Sequence, residues 1–210
     1  MCQAREVTDV DRRLVCVYCG SSSGVGAEFA SEAARLGGAI AAAELGLVYG
    51  GGRVGLMGLV ADSVLEAGAP VVGVMPESLV LAETGHNGLD RLEIVGSMHE
   101  RKARMADLAC GFVVLPGGFG TLDETFEVLT WNQLGLVTKP VVFLDGTGFW
   151  KPVRDLIDHL IGSGFVNERF RSLVTFAASP EEAVAIASGP APEVPGKLSS
   201  LDVTAKREMR

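Results

Sequence analysis

Short, continuously apolar runs alternate along the chain with longer segments in which apolar residues recur every three or four positions. The runs Leu14–Cys19, Leu47–Tyr49, Pro70–Met75, Arg91–Val95, Gly111–Leu115, Pro140–Leu144 and Leu173–Phe176 predict strands. Most are apolar throughout, as strands covered on both faces by helices are. Between them the spacing predicts helices over Ala27–Leu45, Leu56–Ala67, Met98–Ala109, Leu122–Leu134 and Lys151–Ser163, with a last short helix starting near Pro180 and Glu181. This alternation predicts a single-domain α/β fold, a Rossmann-like doubly wound parallel sheet flanked by helices. The domain is expected to span 13–188, after a polar segment at 1–12. Residues 189–210 turn proline-rich and then charged, and read as a flexible tail. Glu77–Asp90 is the one longer connection, and long connections in compact domains are often functional.

Composition narrows the class. The 210 residues fit one domain, and 48% hydrophobic with 21% charged residues excludes a disordered chain. The net charge of −8 argues against a partner that is a nucleic-acid polymer, which calls for a basic stripe, and against a basic membrane-surface protein. No stretch reaches the roughly eighteen apolar residues of a membrane span, and Met1–Arg13 lacks the apolar core of a secretory signal. Of the four cysteines, Cys16 and Cys19 sit three apart in the first strand, so they face opposite sides and read as buried thiols. A reduced, cytoplasmic protein is expected. The three histidines, His86, His99 and His159, have no cysteine pair nearby, so neither a metal nor a cofactor is expected. His99 reads as a capping or packed histidine.

The 27 glycines concentrate the chemistry. Three glycine-rich turns follow predicted strands: Gly20 to Gly24, Gly50 to Gly58, and Pro116-Gly117-Gly118-Phe119-Gly120-Thr121. In a parallel sheet all three fall on the carboxyl edge, where backbone amides and helix N-termini receive anions. None matches the P-loop or the dinucleotide G-x-G-x-x-G, and no G-x-S-x-G elbow occurs. The turns look built for one monophosphate. Thr121 and Glu124 have capping-box spacing, as do Ser97 and Glu100 at the start of the helix carrying Arg101, Lys102 and Arg104. Glu100 is expected to cap. Glu124, which would repel a phosphate set beside it, is expected to face a sugar on which positive charge develops. Glu127 lies on the same helix face. Arg101 and Lys102 are adjacent and must diverge, so one is expected to serve the ligand while the other is solvated.

Pro116 to Glu124 matches the P-G-G-x-G-T-x-x-E motif of the LONELY GUY (LOG) proteins, and Ser97-Met98-His99-Glu100-Arg101-Lys102 resembles that family's M-H-x-R-K segment. The resemblance extends to Cys19-Gly20-Ser21-Ser22, to Gly50–Gly58 and to Thr130-Trp131-Asn132-Gln133-Leu134-Gly135, and covers about Leu14 to Pro180. It implies a cytokinin riboside 5′-monophosphate phosphoribohydrolase, a hydrolase that cleaves the N-glycosidic bond of an N6-modified AMP. It implies Arg101 and Glu124 as the catalytic pair. Gly117, Gly118, Phe119, Gly120, Thr121, Leu122 and Asp123 would form the phosphate loop and its continuation, with Glu83, Lys102 and Thr130 as further substrate contacts. Gly20, Ser21, Gly51, Met98 and Glu127 are additional candidates. A homodimer, or a higher oligomer, is also implied, with the site near the subunit boundary. Gly96 stands where many relatives have aspartate, and Phe119 where tyrosine is common. Relatives have carried the label of possible lysine decarboxylases, yet no lysine here stands in a setting that suggests a pyridoxal Schiff base. Two alternatives stay open: a non-catalytic nucleotide or cofactor carrier of the same fold, and a nucleoside monophosphate glycosidase for other bases. The base itself is not fixed, because Leu56, Met57 and residues of the Trp131 helix could line a pocket but read first as plain core.

Overall fold

The computed structural model describes residues 12–80 and 85–193. Strands β1 (Leu14–Tyr18), β2 (Gly46–Tyr49), β3 (Val71–Pro76), β4 (Arg91–Val95), β5 (Ala109–Val114), β6 (Val141–Leu144) and β7 (Thr175–Ala177) form one sheet in the order β4-β3-β2-β1-β5-β6-β7. Every pair is parallel. The helices are α1 (Ala27–Ala42), α2 (Gly55–Glu66), the single turn α3 (Glu77–Val80), α4 (Met98–Leu108), α5 (Phe119–Leu134), α6 (Lys151–Gly162) and α7 (Pro180–Ser188). The chain moves outward from β1 to β4 on one side, then returns through α4 to β5 on the other. The ends of β1 and β5 therefore flank the topological switch point, where open α/β sheets bind ligands.

Period-two alternation in β1 divides the core. Val15 and Val17 join Leu36, Val60, Val64 and Val184 on one face, against α1, α2 and α7. Cys16 and Tyr18 join Val74, Met105, Phe112, Val128 and Trp150 on the other, against α4 and α5. Cys16 and Cys19 are free thiols buried on opposite faces, as the spacing predicts. Stacked Tyr18 and Phe112 (5.6 Å between centroids), with Phe143 against Trp150 (5.1 Å), fill the second layer. Among the described residues no helix is long and apolar enough to cross a membrane.

Several boundaries differ from expectation for physical reasons. Helix α5 begins at Phe119 rather than Leu122, with Gly118 as its N-cap. Thr121 is thus inside the helix, so the Thr121–Glu124 spacing is not a capping box. Ser97 does cap α4: its hydroxyl accepts from the Glu100 amide (3.2 Å), while Glu100 accepts from the Gly96 amide (2.8 Å). His99 is exposed rather than packed. Helix α4 runs straight into β5, which starts at Ala109 instead of Gly111. A 3₁₀ segment, Glu168–Leu173, occupies the place where the seventh strand was expected to begin. Glu83, most of the 1–12 segment and the tail beyond residue 193 lie outside the described residues.

Candidate active site

The loops after β1, β2 and β5 are laced together by backbone hydrogen bonds. The Gly20 amide donates to the Pro116 carbonyl (3.0 Å), and the Leu56 amide donates to the Gly20 carbonyl (3.1 Å). Glycine is required where these loops meet. A Cβ on Gly117 would stand 2.1 Å from Thr121 Oγ1, and one on Gly55, whose φ is +62°, would stand 2.3 Å from the Ser21 carbonyl carbon. At Gly118 and Gly120 the situation is reversed, since a Cβ there would meet nothing within 4 Å. Open space therefore lies over the first turn of α5. The amides of Phe119, Gly120 and Thr121, in that first turn, have no intrahelical acceptors. Donors at a helix N-terminus that face open space are able to receive an anion. A cavity of about 310 Å³ adjoins it, lined by Gly20, Ser21, Gly118, Phe29, Leu56 and Phe149 among others. Leu56 and Met57 are buried core residues, and Leu56 also forms a wall of this cavity.

Arg101 and Glu124 meet beside this turn, at the contact between α4 and α5. The Arg101 side chain is about nine-tenths buried. Its Nε donates to the Val74 carbonyl (3.1 Å) and its Nη2 to the Gly50 carbonyl (3.2 Å). Nη1 lies 3.5 Å from Glu124 Oε1 and 3.9 Å from Met98 Sδ. Burial pushes the Glu124 carboxyl above the ordinary carboxylate range, against the opposing pull of the Arg101 and Lys102 charges. The thiols of Cys16 and Cys19 are pushed up as well, first by burial and then by the charge of Glu124. They stay neutral and belong to the core layers as inert buried thiols.

Neither of the two adjacent cations is solvated, contrary to the expectation that one would be, for Lys102 is buried like Arg101. Its ammonium pairs with Asp123 Oδ2 (2.7 Å) and Glu127 Oε2 (3.2 Å). Burial alone would lower its pKa, but the two carboxylates outweigh that and raise it. The two adjacent cations both pair with α5, Arg101 with Glu124 and Lys102 with Asp123 and Glu127 on either side of it. Asp123 and Glu127 are thereby engaged by Lys102, and Leu122 packs against the core. Phe119 projects into solvent at the mouth, 93% exposed. Gly51, at φ +77°, sits in the turn that receives Arg101. Thr130 is not gathered with the others. It lies six residues beyond Glu124, about 9 Å along the helix axis, and its hydroxyl donates to the Phe126 carbonyl. The carbonyls of Gly50 and Val74 were not legible as site groups, because every residue carries one. Phe29 and Phe149 had no motif to announce them.

A family model described as "Possible lysine decarboxylase" matches residues 57–186. The chain is 45% identical over 177 residues to a cytokinin riboside 5′-monophosphate phosphoribohydrolase of Rhodococcoides fascians, covering 84% of this chain and 89% of that protein. It is 44% identical over 172 residues to the enzyme of Oryza sativa subsp. japonica named cytokinin riboside 5′-monophosphate phosphoribohydrolase LOG, covering 82% and 71%. Among solved structures it is similar to the molybdenum cofactor binding protein of Rippkaea orientalis, with a TM-score of 0.64 and 20% identity over 83% of this chain and 94% of that one. The molybdenum cofactor carrier protein of Chlamydomonas reinhardtii gives a TM-score of 0.63 at 23% identity, with the same coverage. At such identities the structures show a shared fold alone. The family match across more than half of the chain, joined to relatives at 44% and 45% identity, shows that the protein belongs to the LOG family of cytokinin riboside 5′-monophosphate phosphoribohydrolases.

Proposed function

We propose that this protein hydrolyses the N-glycosidic bond of an adenosine 5′-monophosphate, N6-modified or plain, releasing the free base and ribose 5-phosphate. The observation that carries this reading is the Arg101–Glu124 pair, held within one helical turn of an open, donor-rich N-terminus. The 5′-phosphate docks on the first-turn amides of α5, with Gly118 and Gly120 leaving room for its oxygens. Binding energy from the phosphate orients the ribose over Glu124. As the C1′–N bond breaks, its electron pair leaves with the base, and the sugar gains oxocarbenium character that the Glu124 carboxylate stabilises. The carboxylate also takes a proton from the attacking water, whose oxygen bonds to C1′. That proton is then available to the departing base. A guanidinium is a permanent cation, so Arg101 holds Glu124 and does not donate the proton.

Lys102 argues against amino-acid decarboxylation through a lysine Schiff base. A Schiff-base lysine has a lowered pKa, whereas this ammonium is clamped between two carboxylates and raised. The carrier reading rests on fold likeness at 20% and 23% identity, which does not reach the site. The deciding experiment is a base-release assay across AMP, CMP and N6-isopentenyl-AMP. Release from the adenine nucleotides and not from CMP supports the proposal. Tight binding without release from any of them favours a carrier.

The same reading takes 13–188 as the domain and a cytoplasmic location. It also takes a homodimer as the working form. In support, α6 is an amphipathic helix that buries none of its residues fully, and the turn that follows it exposes Phe165.

A further inference from the structure

His86 stands outside the reacting pair, yet every link between the two is a bond. Its imidazole is about nine-tenths buried, with Nε2 2.8 Å from Asp62 Oδ1 on α2. Nδ1 accepts from the Gly88 amide (3.3 Å), so the ring proton sits on Nε2 and points at Asp62. The backbone amide of His86 donates to the Gly51 carbonyl (3.2 Å), and Gly85 forms an isolated antiparallel bridge with Gly52. The segment entering β4 is thus fastened across the turn between β2 and α2. That turn is Gly50-Gly51-Gly52, with no side chains to pack and wide backbone freedom. The direction of its carbonyls must be set by bonds from outside. Gly50, one residue before the clamped Gly51, presents its carbonyl to Arg101 Nη2.

We propose that His86 is a positioning residue. Held by Asp62, it clamps Gly51 so that the Gly50 carbonyl keeps the Arg101 guanidinium against Glu124. The role suits histidine because one rigid ring accepts on one side and donates on the other. The consequence for catalysis rests on the reading of Arg101 and Glu124 as the reacting pair; the clamp on Arg101 does not.

Two readouts separate these. In steady-state base release, His86→Leu should lower kcat roughly tenfold to a hundredfold, the scale of a small misplacement, with KM changed less than about twofold. His86→Gln, which keeps a donor toward Asp62, should recover most of the loss. By ¹⁵N NMR, the Arg101 Nε–H signal should exchange slowly in the wild-type protein and markedly faster in His86→Leu, with the exchange of core strand amides unchanged. An unchanged kcat in His86→Leu from an active wild type would overturn the proposal. So would an unchanged Arg101 signal, or a loss that comes with faster exchange throughout the core. If the wild-type protein releases no base at all, the hydrolase reading fails, and the Arg101 signal alone decides the clamp.

Discussion

Gly50 and Arg101 occupy space that only a hydrogen atom leaves free: a Cβ on Gly50 would stand 1.8 Å from Arg101 Nη2. The glycine serves the arginine rather than a phosphate. Its missing side chain lets a buried guanidinium reach a backbone carbonyl directly above it, and from there reach Glu124.

Gly50→Ala is therefore expected to displace the guanidinium. Overpacking of this kind costs about 1–3 kcal/mol of stability, read as a lower denaturation midpoint. Base release should fall by more than that cost implies, because Glu124 loses its partner. AMP binding, measured by calorimetry, should survive, since the first-turn amides of α5 are untouched.

Gly117 and Gly120 should respond in opposite ways to the same change. Gly117→Ala drives a methyl into Thr121 and the Gly20 amide, so the protein should be destabilised. Gly120→Ala meets nothing and lies in a helix, where alanine is favoured by about 1 kcal/mol. The fold should hold or gain stability while KM for AMP rises, because the methyl fills the phosphate's place. A Gly120→Ala protein with unchanged KM would remove the amide cradle from the mechanism.

Glu124→Gln keeps the shape of the carboxylate and removes its charge. Hydrolysis of AMP-type substrates should be abolished, with AMP affinity within a few-fold of the wild type. Full activity in this variant would remove Glu124 from the reacting pair.

The raised pKa of Glu124 has two pH consequences of defined sign. As the proposed base it would work only when ionised, so kcat should fall on the acid side at a pH above the ordinary carboxylate value of 4.5. Because its folded pKa exceeds its unfolded one, the group's contribution to stability is full below about 4.5. That contribution is lost as the pH rises through the folded value. Urea denaturation across this window should show less of that loss in Glu124→Gln.

Lys102→Met leaves Asp123 and Glu127 without their shared cation. Asp123 is largely exposed, at 64%, so solvent screens much of that pair. The loss should be about 1–2 kcal/mol, chiefly from Glu127 and the buried end of the contact. It is measurable by chemical denaturation with little change in m.

The sequence by itself determined the layers and the edge on which chemistry sits. Continuous apolar strands alternating with 3.6-period helices admit little but a covered parallel sheet, and glycine turns after strands fall on its carboxyl edge. It also determined the family motif that singles out Arg101 and Glu124. Local pattern misassigned Thr121, because Gly118 had already started the helix, and it left one of Arg101 and Lys102 solvated, because spacing on α4 says nothing about which face α5 presents. The tertiary structure decided that both cations point into α5. It decided too that Arg101 is held by Val74 and Gly50, which lie 27 and 51 positions away, and that Glu124 is buried enough for its pKa to rise. Periodicity is a property of neighbours along the chain. Burial, and the carbonyl that a side chain finally meets, depend on which distant segments the fold brings together.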